Sequence, residues 1–249
     1  MRGVIPSTRP AEPPIDGHPL DAAARRLTAL DAAMLATFAL LVTGHIVSAI
    51  GRLGWGSAAV TVGLTALALL ALALRRAWRP LILRLLAFGL IAGVCELFTD
   101  FSGEVVAHSL RYPPREPMLW ASPAYMPLSW MVVLAQIGYL AWRLAALLPR
   151  PLYSLPWLAM ALTGLWGALN IPFYEEMAYH AGWWSYAPAP GLGHTPYYVM
   201  LFEGLIAAAL PPLLANLQRR APRAILLRGL LLGAWIPCAA LASWLLIGR

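Results

Sequence analysis

The sequence contains no lysine: all 18 basic residues are arginine. That excludes a lysine nucleophile and a lysine Schiff base, and with them a retinal protein of the rhodopsin type. Charge is scarce altogether. Only 12% of the 249 residues are charged and 60% are hydrophobic, whereas a soluble domain is typically about 25% charged and about 45–50% apolar. This balance points to a membrane protein, and the length suits a single bundle with little room for a soluble domain. Cysteine is limited to Cys95 and Cys238, both inside apolar runs. They provide neither a disulfide framework nor metal-type spacing. There is no P-loop, no GxGxxG, no Ser-His-Asp arrangement and no HExxH or ExxH pair. The net charge of +7 does not imply a nucleic-acid partner, because the arginines lie in short segments between apolar runs, where insertion topology accounts for them.

Seven apolar segments are present, at about 28–50, 55–74, 81–108, 123–148, 152–170, 196–217 and 224–246. A spanning helix needs roughly 20 apolar residues to cross a core of about 30 Å. The runs are continuous and rich in Leu and Ala, without the alternation of a barrel strand. The expected fold is therefore all-α: a polytopic bundle of about seven transmembrane helices, forming one domain over residues 27–249. Residues 1–26, rich in proline, read as a disordered cytoplasmic tail rather than a signal peptide. With the N-terminus inside, 14 of the 18 arginines fall on the cytoplasmic side, leaving Arg52, Arg111, Arg115 and Arg249 outside. The positive-inside rule thus puts the C-terminus outside, in the plasma (bacterial inner) membrane. The fifth run reads as ending at Asn170-Ile171-Pro172, with Asn170 an N-cap for a short interfacial helix near 172–184. Tyr174, Tyr179, Trp183, Trp184 and Tyr186 fit an aromatic belt.

The third span carries Glu96, Asp100, Glu104 and His108 at successive intervals of four. On an α-helix each such step drifts by only about 40°, so the four side chains form one stripe. Gly89, Gly93, Gly103 and Ala107 lie on or beside it, and small residues let a neighbouring helix approach. The stripe is expected to face the bundle. A central acid costs roughly 2.5–3.5 kcal/mol on insertion scales, so three on one apolar helix call for a function. They repel one another, and at least one is expected to hold its proton at neutral pH. A neutral carboxylic acid in a dry pocket is a good proton donor. A competing reading has them lining a water-filled vestibule or pairing with Arg111 and Arg115. Against it, Glu96 lies about 22 Å along the helix from Leu81. A second cluster comprises Glu175, Glu176 and His180, with Glu176 and His180 on one helical face, although acids also suit a helix's first turn. Glu203, about seven residues into the sixth span, completes the set. His194, in a Gly/Pro loop, reads as surface. The acids of all three elements belong to the outer half and are expected to converge.

The acid-bearing helix is followed by Pro123, Tyr125, Pro127 and Trp130, and later by Glu175, Glu176, Gly182 and Trp183. Over about residues 90–205 this pattern resembles small polytopic enzymes of carotenoid and terpenoid metabolism: the bacterial carotenoid hydratases and, more distantly, the membrane lycopene and meroterpenoid cyclases. The resemblance implies a compact helical enzyme whose membrane carboxylic acids protonate an alkene or epoxide. It implies Glu96 and Asp100 as proton donors, and Glu175 or Glu176 as the group that stabilises the cation or takes a proton back. Pro172-Phe173-Tyr174-Glu175-Glu176 only approximates the Pro-x-Glu-Glu signature of lycopene cyclases.

The leading expectation is acid–base hydration or cyclisation of an isoprenoid lipid, with no cofactor and no metal. Glu96, Asp100, Glu104, Glu175, Glu176 and Glu203 are the candidate catalytic residues. Tyr112, Trp120, Trp130, Trp183 and Trp184 would stabilise a carbocation by cation–π attraction, with His108, Tyr125 and His180 beside the substrate. Two alternatives stay open: a metal-dependent membrane enzyme binding iron, zinc or copper through carboxylates with His108 and His180, and a proton-coupled carrier or membrane sensor.

Overall fold

Thr28 opens the first helix with a capping box. Its hydroxyl accepts from the Asp31 amide and the Asp31 carboxylate accepts from the Thr28 amide, satisfying two backbone groups that the first turn leaves free. From here the computed structural model describes residues 28–147, 156–217 and 220–248; the expected N-terminal tail lies outside them. The described residues form seven α-helices: α1 (Ala29–Gly51), α2 (Trp55–Leu72), α3 (Arg79–Phe101), α4 (Met126–Leu147), α5 (Pro156–Ala181), α6 (Tyr197–Leu214) and α7 (Pro222–Ile247). Five of them, α1, α2, α3, α6 and α7, are long and apolar enough to cross a membrane. In α5 the apolar run is diluted by Asn170, Pro172 and the Glu175–Glu176 pair. Apolar side chains such as Ile50, Leu74, Leu165 and Leu246 stand on the outside, as lipid-facing positions require. The molecule is an all-α helical membrane bundle.

Small residues set the helix contacts. α3 packs on α4 and α7, α5 packs on α6, and α1 packs on α2 and α5. A methyl group at Gly93 would lie 2.7 Å from the Pro127 carbonyl oxygen, and one at Gly167 would lie 2.9 Å from that of Glu203. Backbones meet at these points because no side chain intervenes. Phe88, Leu134, Leu210, Leu232 and Ile236 fill the shared core.

Two departures from the expected helices bear on the site. The fifth helix does not stop at Pro172. It runs unbroken to Ala181 with Pro172 inside, so Asn170 is not an N-cap and there is no separate interfacial helix. Proline loses one backbone donor in a helix; here Tyr174, Glu175 and Ala178 are buried on the continuing turn. The third helix changes pitch: Ser102–Val106 form a π-turn, with the Ala107 amide donating to the Ser102 carbonyl at 2.8 Å. This wider turn begins two residues after Asp100.

At one end of the bundle the connections are tied together. β1 (Leu110–Arg111) pairs antiparallel with β4 (Ser185–Tyr186), while β2 (Met118–Leu119) with β3 (Ser122–Pro123), and β5 (Gly191–Leu192) with β6 (Thr195–Pro196), form two hairpins. The Gly54 amide donates to the Ala181 carbonyl at 2.8 Å, fastening the α1–α2 turn to the same end. Toward the other end Asp31 is held by Arg143, with Nε to Oδ1 at 2.7 Å, and by the Tyr139 hydroxyl at 2.7 Å. Both charges are buried, so losing one partner strands the other in apolar surroundings. Asp31→Asn or Arg143→Ala is expected to lower stability by about 3–5 kcal/mol, read as loss of folded protein in reversible unfolding in detergent. Arg84→Ala, which lacks such a partner, should change it little.

Candidate functional site

Beneath the tied connections, between α1, α3, α4, α5, α6 and α7, lies a cavity of about 550 Å³. Four carboxyl groups line it: Glu96 and Asp100 from α3, Glu175 from α5 and Glu203 from α6. α3 contributes two because positions four apart share a face until the π-turn begins. α5 and α6 contribute one each because their glycine contacts bring the helices close. The Glu96 and Asp100 carboxyls hydrogen-bond each other, and Glu96 also feels the charge of Glu203. Glu175 in turn feels Asp100, and Glu203 feels Glu175. Glu96 and Asp100 are 2% and 5% exposed, and Glu96 Oε2 has no hydrogen-bond partner. Acids of three helices thus line one chamber.

The remaining walls are apolar and aromatic, including Leu134, Ile137, Ile206, Leu210, Phe202 and Trp130. Donors for the acids come from the connections. The Tyr112 hydroxyl donates to Asp100 Oδ2 at 2.7 Å, and Trp184 Nε1 donates to Glu175 Oε2 at 2.6 Å. Tyr186 also hydrogen-bonds Glu175. Burial, then the neighbouring carboxyls, push the Tyr112 phenol well above its ordinary value. Burial, with Glu175 next, does the same to Tyr186. Both phenols keep their protons and stay donors. The lining also extends to Val106 and Leu241, which are 68% and 58% exposed. The chamber's lining therefore reaches apolar side chains on the surface of the bundle.

Of the residues expected at a site, the cavity takes Glu96, Asp100, Glu175, Glu203, Tyr112, Trp130 and Trp184. The others lie elsewhere. Beyond the π-turn, Glu104 is half-buried and His108 exposed, its Nδ1 on the Glu104 carbonyl. Trp120 is 53% exposed and stacks on Phe101. Tyr125 is half-buried outside the lining. Trp183 is buried but turned away, donating to the Gly54 carbonyl and the Ser57 hydroxyl. Glu176 and His180 face outward and pair with each other. His194, read as surface, pairs with the same carboxylate.

Sequence reasoning missed His45, Tyr186 and Tyr198 as lining residues. His45 sits in an apolar run with no acid near it in sequence. Its Nδ1 lies 2.8 Å from the Leu41 carbonyl, and its ring meets Tyr174 and Trp183 edge-on. Tyr186 was assigned to the aromatic belt because a tyrosine in a loop carries no mark of which way it turns. Tyr174 and Trp183, assigned to the same belt, are buried.

Residues 97–247 match the model of a family described as a domain of unknown function, DUF6989. The match covers more than half of the chain, which belongs to that family. It takes in Asp100, Glu175 and Glu203 and begins one residue after Glu96. No curated protein and no solved structure matches the chain.

Glu116, in the cap between the π-turn and α4, is 6% exposed and neither carboxyl oxygen has a hydrogen-bond partner. Burial, then the charge of Glu104, push it up to about 7. A carboxyl raised in the folded state favours folding below its unfolded value and loses that contribution as pH rises through about 7. Glu116→Gln stays neutral throughout. Its melting temperature should gain on the wild type's by a few degrees between pH 5 and pH 8; parallel curves in a thermal-unfolding series would contradict the assignment.

Proposed function

We propose that this DUF6989 protein is a multi-pass enzyme of the bacterial inner membrane that protonates an isoprenoid lipid of the carotenoid or terpenoid type, leading to hydration or cyclisation. In this reading all seven helices span the bilayer, the N-terminus is cytoplasmic and the carboxyl chamber lies toward the outer leaflet. The observation that carries the proposal is the meeting of Glu96, Asp100, Glu175 and Glu203 in an apolar and aromatic cavity whose lining reaches exposed Val106 and Leu241. A water-soluble substrate would need a polar entrance; a lipid needs an apolar one. A cavity of about 550 Å³ falls in the usual range for a small ligand, roughly 300–1,000 Å³. It takes one end of a long isoprenoid while the tail stays among the acyl chains.

The chemistry follows from acids kept out of water. The neutral carboxyl of Glu96 or Asp100 gives its proton to one carbon of a C=C bond, leaving a carboxylate and a tertiary carbocation. Trp130, Trp184 and Tyr112 present aromatic faces or edges to the chamber and stabilise the cation. In hydration, water adds to the cation and its surplus proton passes to Glu175 or Glu203. In cyclisation, an internal alkene attacks the cation, and the proton lost from the adjacent carbon goes to the same base. Glu175 or Glu203 acts here as an ionised base, and the return of its proton to the Glu96 or Asp100 carboxylate restores the site. Tyr112 orients Asp100, and Trp184 and Tyr186 orient Glu175. Glu176, which the resemblance left level with Glu175, has no part in this scheme because it faces away from the chamber.

The test is to express the chain in a host that makes isoprenoid lipids, incubate membranes in D₂O and analyse the lipids by mass spectrometry. Deuterium should enter a lipid only when the chain is present. Glu96→Gln, Asp100→Asn, Glu175→Gln and Glu203→Gln should each cut the yield by about 10²-fold or more. Trp120→Ala and His108→Ala should leave it nearly intact. Undiminished labelling in all four amide variants would refute the proposal.

A further inference from the structure

Glu176, His180 and His194 gather at the end of α5, outside the chamber. One ligand atom from each lies within 4.8 Å of the other two. His180 Nε2 is 3.0 Å from Glu176 Oε1, and His194 Nδ1 is 2.9 Å from Glu176 Oε2. Tetrahedral zinc with bonds of about 2.0–2.2 Å holds its ligand atoms roughly 3.3 Å apart. The two separations from the Glu176 carboxylate, one from each of its oxygens, are within about 0.4 Å of that edge length.

Local structure places each ligand. Glu176 and His180 are one helical turn apart, the i,i+4 spacing that aims two side chains at one point. His194 arrives on the turn of the β5–β6 hairpin, and its amide donates to Glu176 Oε2 at 3.0 Å. Gly193 before it has φ of +60°, and a Cβ there would lie 2.6 Å from the same carboxylate oxygen. Only glycine lets the turn come so near. The Tyr179 ring stacks on that of His194, with centroids 3.4 Å apart, and fixes its imidazole plane.

We infer that Glu176, His180 and His194 form a binding site for a divalent metal ion of the zinc class, clasping the α5–α6 connection to the end of α5. Two imidazoles and one carboxylate are a donor set that zinc accepts, with water in the fourth position. All three residues are partly exposed, so water reaches that position. The clasp bears on the chamber through the chain: the connection it pins also carries Tyr186 to Glu175. The site stands apart from the acid–base reading, and either can fail without the other.

The experiment uses the full chain, purified in detergent through a tag without histidine, incubated with zinc and desalted, then measured by elemental analysis. About one zinc per chain is expected in the wild type and in His108→Ala, whose histidine lies outside the cluster. His180→Ala and His194→Ala should lose it. Cobalt in place of zinc should give the intense d–d absorption of a tetrahedral centre. Zinc should raise the melting temperature of the wild type, and a chelator should reverse the rise. A wild type that retains only traces of zinc, or variants that retain the wild-type amount, would overturn the inference. If a variant fails to fold, the cobalt spectrum and zinc-dependent melting of the wild type decide the matter, and absence of both counts against the site.

Discussion

Placing carboxyl groups in an apolar interior is the constraint from which the rest of this structure follows. Even after relaxation an unpaired buried charge costs several kcal/mol, and four carboxyls share this chamber. Among the described residues no arginine lines the chamber. The bundle surrounds the acids instead with one another and with neutral donors: the Tyr112 hydroxyl, the Trp184 indole and Tyr186. Those donors come from connections, not helices. The connections must therefore be held, and the β1–β4 pairing, the bond from Gly54 to Ala181 and the pair of short hairpins hold them. The opposite strategy is used for Asp31. There a guanidinium and a phenol neutralise a single buried carboxylate, leaving it nothing to donate and no space in which to react.

Much of this was legible in the sequence because the bilayer imposes strong, local rules. Hydrophobic run lengths placed seven helices, and four-residue spacing put Glu96 and Asp100 on one face. Glu203 could be named because an acid in an apolar run rarely lacks a role, and Glu175 as part of the Glu175–Glu176–His180 cluster that follows Pro172. What was not legible depends on tertiary structure. Proline at 172 is a helix breaker by local rules, yet packing of Tyr174, Glu175 and Ala178 carries the helix past it. The π-turn has no sequence mark in Ser102–Val106, so Glu104 and His108 were placed on a stripe they leave. His45 lines the chamber only because α1 lies against α5. Tyr186 and Tyr198 are indistinguishable from belt aromatics until the loops are folded.

The pairing of Glu176 with two histidines illustrates the same limit. Its i,i+4 half could be read from the sequence, but His194 is 14 residues further on, at the tip of a hairpin. Adjacent glutamates in one helix thus turn to opposite tasks, Glu175 inward to a dry chamber and Glu176 outward to an imidazole pair. The step of about 100° between consecutive helical residues is enough to separate them.

The π-turn amounts to one residue more than an α-helix needs over the same rise. Removing a single residue there, and so restoring regular pitch, would swing everything beyond it by about 100°. Strand β1 would lose its register with β4, and Tyr112 its reach to Asp100. The extra residue acts as a phase shifter: it aims a phenol from the following loop at the second acid of the stripe.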